Sequence, residues 1–152
     1  MFYQINNTPL LLQDLKILVV DDSEEIREIL SVIFKENGAD VHTAMDSAEA
    51  IRKANVVKFD VILMDILMSG LDGKYTASQI KMLPYPKKII ALSGFIGTKK
   101  IFNELASPFD SYIMKPVGPM ELMHKILETM SGVVTENPQN FRQFYPVISS
   151  LR

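Results

Sequence analysis

Short, mostly apolar segments recur five times along the chain, and polar or turn-forming residues follow each of them. Every segment is only four or five residues long. That length is too short for a stable helix and is typical of strands buried on both faces of a sheet. The predicted strands are 16–20, 40–43, 61–64, 88–92 and 111–114.

The segments after the first two strands have the periodicity of amphipathic helices. In the first, apolar residues recur every three or four positions until Asn37-Gly38 ends the pattern. Asp46 and Glu49, three positions apart, predict a capping box at the start of the second helix. The apolar stripe of the first helix comprises Ile26, Ile29, Leu30, Ile33 and Phe34.

Three further helices complete the alternation. One follows Gly73 and stops before Pro84, one spans 98–107, and one spans 119–131. Strands that alternate with helices predict an α/β fold, in which a five-stranded parallel sheet is covered on both faces. The last helix is expected to turn six residues inward: Met120, Leu122, Met123, Ile126, Leu127 and Met130.

Length and composition are those of one globular domain with terminal extensions. The chain has 152 residues, of which 47% are hydrophobic and 22% are charged. This is enough for one ordinary core and too little for a second full domain. We assign 1–14 to an N-terminal extension, 15–132 to the domain and 133–152 to a C-terminal tail, in which Asn137-Pro138 can start a short helix.

Charge and targeting signals narrow the possible functions. The net charge of −2 provides no basic surface, so direct binding of nucleic acid is not expected. The chain has no cysteine, which excludes disulfides and thiolate metal sites. Its apolar runs are shorter than the ~18 residues that cross a bilayer, and its first residues lack the features of a signal peptide. We therefore expect a cytoplasmic protein that does not bind membranes.

Polar and charged residues stand where four of the predicted strands end: Asp21 and Asp22, Asp65, Ser93, and Lys115. In a parallel sheet these ends meet at one edge, where open α/β sheets bind their ligands. Crowded carboxylates repel one another, and a hard divalent cation such as Mg²⁺ removes that cost. A lysine and a hydroxyl both suit phosphoryl oxygens. The set predicts phosphoryl transfer to an aspartate.

The order and spacing of these residues resemble the receiver domains of two-component response regulators. The resemblance covers about 16–132. It rests on the acidic pair after the first strand, on DILMSGLDG around Asp65, on LSG around Ser93, and on YIMKP, which ends in Lys115-Pro116. It implies a doubly wound, flavodoxin-like (βα)5 fold with strand order 2-1-3-4-5.

The resemblance also implies roles for the acidic residues. Asp65 would be the phosphoacceptor and a ligand of Mg²⁺ or Mn²⁺. Asp22 would bind the metal directly and Asp21 through water, and the backbone carbonyl of Leu67 would complete the protein's share of the ligands. Leu67 and Phe95 are apolar, and we expect them to shield the acyl phosphate from water and to slow its loss.

A phosphohistidine on a histidine kinase or a histidine phosphotransfer protein would be the donor, and Lys115 would hold the developing charge. Ser93 and Tyr112 stand where the family keeps its switch hydroxyl and switch aromatic. We expect phosphorylation to draw Ser93 toward the phosphoryl oxygens and to leave space that Tyr112 can enter, which changes the face formed by 98–131. This face is the expected surface for a downstream effector or for a homodimer.

Other interpretations stay open. The chain is either a stand-alone regulator or a fragment of a larger signalling protein, such as the receiver module of a hybrid histidine kinase. A pseudo-receiver that binds partners without phosphate is disfavoured by the complete set of acids. A phosphatase with an aspartyl nucleophile is disfavoured because Leu67 stands where its second acid is usual, and flavin binding because no phosphate loop follows the first strand. We expect at most self-phosphorylation and self-dephosphorylation rather than enzymatic turnover.

Overall fold

The computed structural model describes residues 10–66, 73–94 and 108–132. Within them, five strands form one sheet with the order β2-β1-β3-β4-β5, and every pairing is parallel. This confirms the predicted α/β class and the strand order that the resemblance implies. The strands are β1 (Lys16–Val20), β2 (Asp40–Ala44), β3 (Val61–Asp65), β4 (Lys88–Ser93) and β5 (Ser111–Met114).

Helices cover both faces of this sheet. Buried residues of α1 and α4 pack on one face, and those of α2 and α3 pack on the other. The predicted helix at 98–107 and the predicted short helix of the tail lie outside the described residues. The described helices are α1 (Glu24–Glu36), α2 (Ser47–Val56), α3 (Gly73–Lys81) and α4 (Pro119–Ser131).

The central strands are apolar at successive positions because both sides of the sheet are covered. Along β1, Ile17 and Val19 belong to the core cluster beneath α1 and α4, whereas Leu18 and Val20 belong to the cluster beneath α2 and α3. All four side chains are fully buried. Successive side chains of a strand point to opposite faces, so a strand inside two layers needs an unbroken apolar run.

Short polar side chains begin the first two helices. The hydroxyl of Ser23 accepts a hydrogen bond from the backbone N–H of Ile26 at 3.4 Å, and the carboxylate of Asp46 accepts one from the N–H of Glu49 at 2.8 Å. Glu49 in turn accepts from the N–H of Met45 at 2.9 Å, one residue before the cap. The predicted capping box therefore exists in a form shifted by one residue.

One residue predicted to face the core is exposed: Met120 of α4 is 57% exposed, so that prediction was wrong. Ile29, a member of the predicted apolar stripe of α1, is 50% exposed. Ile29 lies at the margin of its stripe, beside an apolar groove of about 550 Å³ between α1 and the start of α4. Met120 lies in the first turn of α4, and the buried positions of that helix begin only at Leu122.

The residues just before β1 are part of the packed structure. Leu12 is fully buried in the core beneath α1 and α4. Its N–H donates to the carbonyl of Asn37 at 2.9 Å, and the N–H of Asp14 donates to the carbonyl of Gly38 at 3.0 Å. Gly38 has a φ of +94°, and a Cβ there would lie 2.8 Å from Oε1 of Gln13. Residues 10–14, assigned to the extension, thus clamp the turn between α1 and β2.

We expect Leu12→Ala to lower the free energy of unfolding by about 2–5 kcal/mol, because it leaves a cavity in a fully buried site. Urea denaturation followed by circular dichroism measures the change. Leu10→Ala is the matched control, since Leu10 is 42% exposed, and its effect should stay within about 0.5 kcal/mol. A Leu12→Ala effect as small as the control would show that residues 10–14 do not stabilise the domain.

Glu49 should make stability depend on pH. The hydrogen bond from the Met45 N–H, followed by the contacts with Lys53, lowers the pKa of Glu49 below its ordinary value of 4.5. Stability from a carboxylate with a lowered folded-state pKa is present above pH 4.5 and is lost as the pH falls through the folded-state pKa. We expect Glu49→Gln to lower the urea midpoint near neutral pH, and the difference from wild type to shrink in acid. Glu36→Gln, at an exposed position of α1, should show no such convergence.

Candidate active site

Asp21 lies directly after β1 and is only 1% exposed. Its N–H donates to the carbonyl of Ala44 at 3.1 Å. Its Oδ1 accepts from the N–H of Ser23 at 2.9 Å, and its Oδ2 accepts from Nζ of Lys115 at 3.0 Å. A buried carboxylate is tolerated when it is paired and hydrogen-bonded in this way. The orientation of Asp21 is therefore well determined.

Asp65, the last residue of β3, lies beside it. The register pairs Val20 with Met64, so the next residues of the two strands, Asp21 and Asp65, are level at the edge of the sheet. Asp65 is 6% exposed, whereas Asp22 is open to solvent. One carboxylate oxygen from each of these three acids lies within 4.8 Å of the others. Three hard oxygen ligands this close together fit a divalent cation such as Mg²⁺.

Lys115, which follows β5, supplies the positive charge among these acids. Its Nζ lies 3.0 Å from Oδ2 of Asp21 and 3.2 Å from Oδ2 of Asp65. Burial lowers the pKa of Lys115, but the hydrogen bond to Asp21 and the charges of both acids outweigh burial, so the pKa is raised above 10.5. The side chain is a permanent cation at neutral pH, held by two strand ends at once.

Ser93 ends β4 and is fully buried. The register pairs Asp65 with Leu92, which places Ser93 one step beyond the level of Asp65 on the neighbouring strand. The N–H of Lys115 donates to the carbonyl of Ser93 at 2.7 Å. The hydroxyl-bearing residue and the lysine are thus joined through the main chain.

Tyr112 lies on β5, paired with Ala91. It is half-buried and packs against the core beneath α2 and α3. Leu67, Phe95 and the first part of the predicted switch face lie outside the described residues.

Gly73, at the start of α3, lies against the end of β3. A Cβ at this position would be 2.9 Å from Cα of Ile66 and 3.2 Å from the carbonyl oxygen of Asp65. Only glycine permits this approach without moving backbone. The sequence predicted a helix that follows Gly73, and the structure adds that this helix begins at Gly73 in direct contact with the backbone of Asp65.

Arg27 reaches the site in a way that sequence reasoning missed. Its Nη1 donates to the backbone carbonyl of Asp21 at 2.7 Å from the second turn of α1. The available signal was weak: an arginine one helical turn after the capping Ser23, on a helix whose first turn is otherwise acidic.

The strand-end residues predicted from the sequence therefore lie where expected. The structure brings Asp21, Asp22, Asp65 and Lys115 together, with Ser93 on the adjacent strand. None of the described helices has the length and apolar character needed to pass through a lipid bilayer.

Comparison with known proteins agrees with this geometry. The family model of the response regulator receiver domain matches residues 17–127. The response regulator protein VraR of Staphylococcus aureus is 33% identical over 128 residues, which cover 82% of this chain and 61% of VraR. The chain thus spans less than two thirds of the length of this curated relative.

Solved structures show the same architecture. A CheY-like response regulator receiver domain protein from Methanospirillum hungatei JF-1 is 29% identical with a TM-score of 0.70, covering 76% of this chain and 93% of that chain. A two-component response regulator from Clostridium difficile is 27% identical with a TM-score of 0.70, covering 76% and 95%. The chain belongs to the response regulator receiver domain family, the signalling domains of two-component systems.

Proposed function

We propose that Asp65 accepts a phosphoryl group from a phosphohistidine on a histidine kinase or a histidine phosphotransfer protein. The observation that carries the proposal is the position of the Lys115 ammonium, 3.0 Å from Asp21 and 3.2 Å from Asp65, among acids whose oxygens lie within 4.8 Å of one another. Acceptor, metal-binding acids and cation come from the ends of β3, β1 and β5. They are close enough to act on one phosphoryl group.

The acids would hold Mg²⁺ or Mn²⁺. Asp22 is exposed and gives a cation access from solvent, while Asp21 and Asp65 are held in place by Lys115. The predicted backbone ligand, Leu67, lies outside the described residues and stays a prediction. When bound, the metal would neutralise the acids and the oxygens of the incoming phosphoryl group.

The proposed reaction is a single displacement at phosphorus. A carboxylate oxygen of Asp65 forms a bond to phosphorus as the bond from phosphorus to the donor's imidazole nitrogen breaks, and that nitrogen keeps the electron pair. Lys115 stabilises negative charge on a phosphoryl oxygen, and the hydroxyl of Ser93 donates to another. Asp65 becomes an acyl phosphate, and no free phosphate is released.

Phosphorylation of Asp65 would change the packing at the face formed by 98–131. The acyl phosphate adds about two negative charges next to Lys115 and Ser93. Ser93 is joined to Lys115 by a backbone hydrogen bond of 2.7 Å, and Tyr112 lies two residues before Met114, the strand partner of Ser93. A shift of Ser93 toward the phosphoryl group would thereby reach Tyr112. Binding of an effector, or of a second copy, through this face stays a prediction.

The wider context is also part of the proposal. Since the chain spans 61% of VraR, the relative's whole-protein activity is not transferred to it. A stand-alone regulator and a receiver module of a hybrid kinase both fit the site. The predictions that the chain does not bind nucleic acid directly and that it is cytoplasmic stay predictions, as does the limitation to self-phosphorylation and self-dephosphorylation.

Incubation with Mg²⁺ and a phosphoramidate should add one phosphoryl group to the wild-type chain, measured by intact mass. Asp65→Asn should show no gain, because an amide is a poor nucleophile. Asp60→Asn is the matched control: Asp60 directly precedes the same strand and accepts a backbone hydrogen bond from Lys16 at 2.9 Å, so it should still be phosphorylated. A wild-type chain without mass gain would support the pseudo-receiver, and turnover of phosphate esters would support the phosphatase.

Lys115→Met should bind Mg²⁺ more tightly than the wild type. The ammonium lies 3.0 Å from Asp21 and 3.2 Å from Asp65, so it competes with a cation for their negative charge. Removing a unit charge about 4 Å away favours a cation by roughly 1 kcal/mol even in water. We expect Kd to fall by at least about fivefold. The measurement is the unfolding temperature as a function of Mg²⁺ concentration. An unchanged Mg²⁺ dependence would show that lysine and metal occupy separate sites.

A further inference from the structure

The guanidinium of Arg27 binds a backbone carbonyl although carboxylates are close to it. Among the described residues, Nη1 makes its one hydrogen bond, of 2.7 Å, to the carbonyl oxygen of Asp21. Glu24 and Glu28 of the same helix line the same charged groove between α1 and β2. Arg27 is half-buried, and a hydrogen bond from a charged donor is stronger than a neutral one.

This contact completes the polar contacts of Asp21. Its N–H is bonded to Ala44, its Oδ1 to the N–H of Ser23, and its Oδ2 to Lys115. The carbonyl is the remaining polar atom, and Arg27 binds it. The carbonyl belongs to the peptide bond between Asp21 and Asp22, so its direction fixes the plane from which the exposed side chain of Asp22 departs.

We propose that Arg27 is a positioning residue for the divalent cation: it orients the peptide between Asp21 and Asp22 so that both carboxylates face Asp65. The relevance of this inference to phosphorylation rests on the proposed function. The contacts from which it is argued involve only Arg27 and the metal-binding acids. The hydrogen bond of Arg27 goes to the main chain of Asp21 rather than to its side chain. Its action passes through the main chain of Asp21.

The direction in which the affinity for Mg²⁺ changes distinguishes a positioning role of Arg27 from a purely electrostatic one. Arg27 carries a positive charge close to a site for a cation, so a purely electrostatic role predicts that neutralising Arg27 strengthens Mg²⁺ binding. A positioning role predicts the opposite, because Asp22 then samples orientations that do not bind. The two accounts differ in direction as well as in size.

The test compares Arg27→Met with Arg52→Met, which removes the same side chain at an exposed position of α2. Mg²⁺ binding is measured by titration calorimetry and by thermal unfolding, without phosphodonor. We expect Kd to rise about fivefold or more in Arg27→Met and to stay within about twofold in Arg52→Met. An unchanged or lower Kd in Arg27→Met overturns the proposal.

A second readout needs no metal. The hydrogen bond from the Ser23 N–H to Oδ1 of Asp21 depends on the same local geometry, so hydrogen exchange of the Ser23 amide, measured by NMR in the absence of Mg²⁺, should accelerate several-fold in Arg27→Met. Unchanged exchange overturns the proposal. Should Arg27→Met fail to fold, Arg27→Lys replaces it, because lysine keeps the positive charge but has a shorter side chain. The Kd for Mg²⁺ is then expected to rise by a smaller factor than in Arg27→Met.

Phosphorylation separates this inference from the proposed function. With phosphoramidate at subsaturating Mg²⁺, Arg27→Met should react more slowly than the wild type, and at saturating Mg²⁺ its rate should return to within about twofold. A persistent deficit would assign Arg27 to the chemical step instead and overturn the positioning role. If the wild-type chain itself is not phosphorylated, the proposed function fails, while the Mg²⁺ and exchange measurements still decide the role of Arg27.

Discussion

Negative charge is concentrated at one edge of the sheet, and Lys115 balances part of it within the protein. Its ammonium bridges Asp21 and Asp65, residues that lie 94 and 50 positions away along the chain. Both acids are almost completely excluded from water, so their repulsion is poorly screened and an unpaired charge would be costly. The ends of β1, β3 and β5 are therefore held together by electrostatics as well as by backbone pairing.

The same contacts couple the charge of Lys115 to the charges of both acids. The charge of the lysine is strongly coupled to the two acids, which outweigh the effect of its burial and raise its pKa. A change in charge at Asp65 therefore alters the environment of Lys115 directly. The N–H of Lys115 is also bonded to the carbonyl of Ser93, so the main chain connects Lys115 to the end of β4.

Much of the fold could be predicted because its strands are buried on both faces. A parallel sheet between two helical layers requires unbroken apolar runs, and such runs are visible in a sequence. The ends were less exact: Asp65 and Ser93 continue their strands by one residue, since backbone pairing does not stop where side chains become polar. Periodicity gave the direction of Met120 around its helix but not how far the neighbouring elements extend, so Met120 was wrongly placed in the core.

The site residues that stand at strand ends could be predicted from the sequence. Residues that reach the site only through tertiary contacts could not. Carboxylates, hydroxyl and ammonium stand at strand ends, and parallel strands bring their ends to one edge. Arg27 was missed because a side chain that binds a main-chain carbonyl leaves only a weak signal in the sequence. The burial of Leu12 was missed for a related reason. The run of three leucines at 10–12 does not itself indicate whether these residues pack on the domain.

Gly73 carries a consequence for how this chain can evolve. Its contact is with the backbone of Asp65 and Ile66, so compensation by trimming a neighbouring side chain is not available. A larger residue at position 73 fits only if the first turn of α3 moves away from the end of β3. Variation at position 73 is accordingly limited by main-chain crowding, because any side chain larger than hydrogen would need the backbone to move.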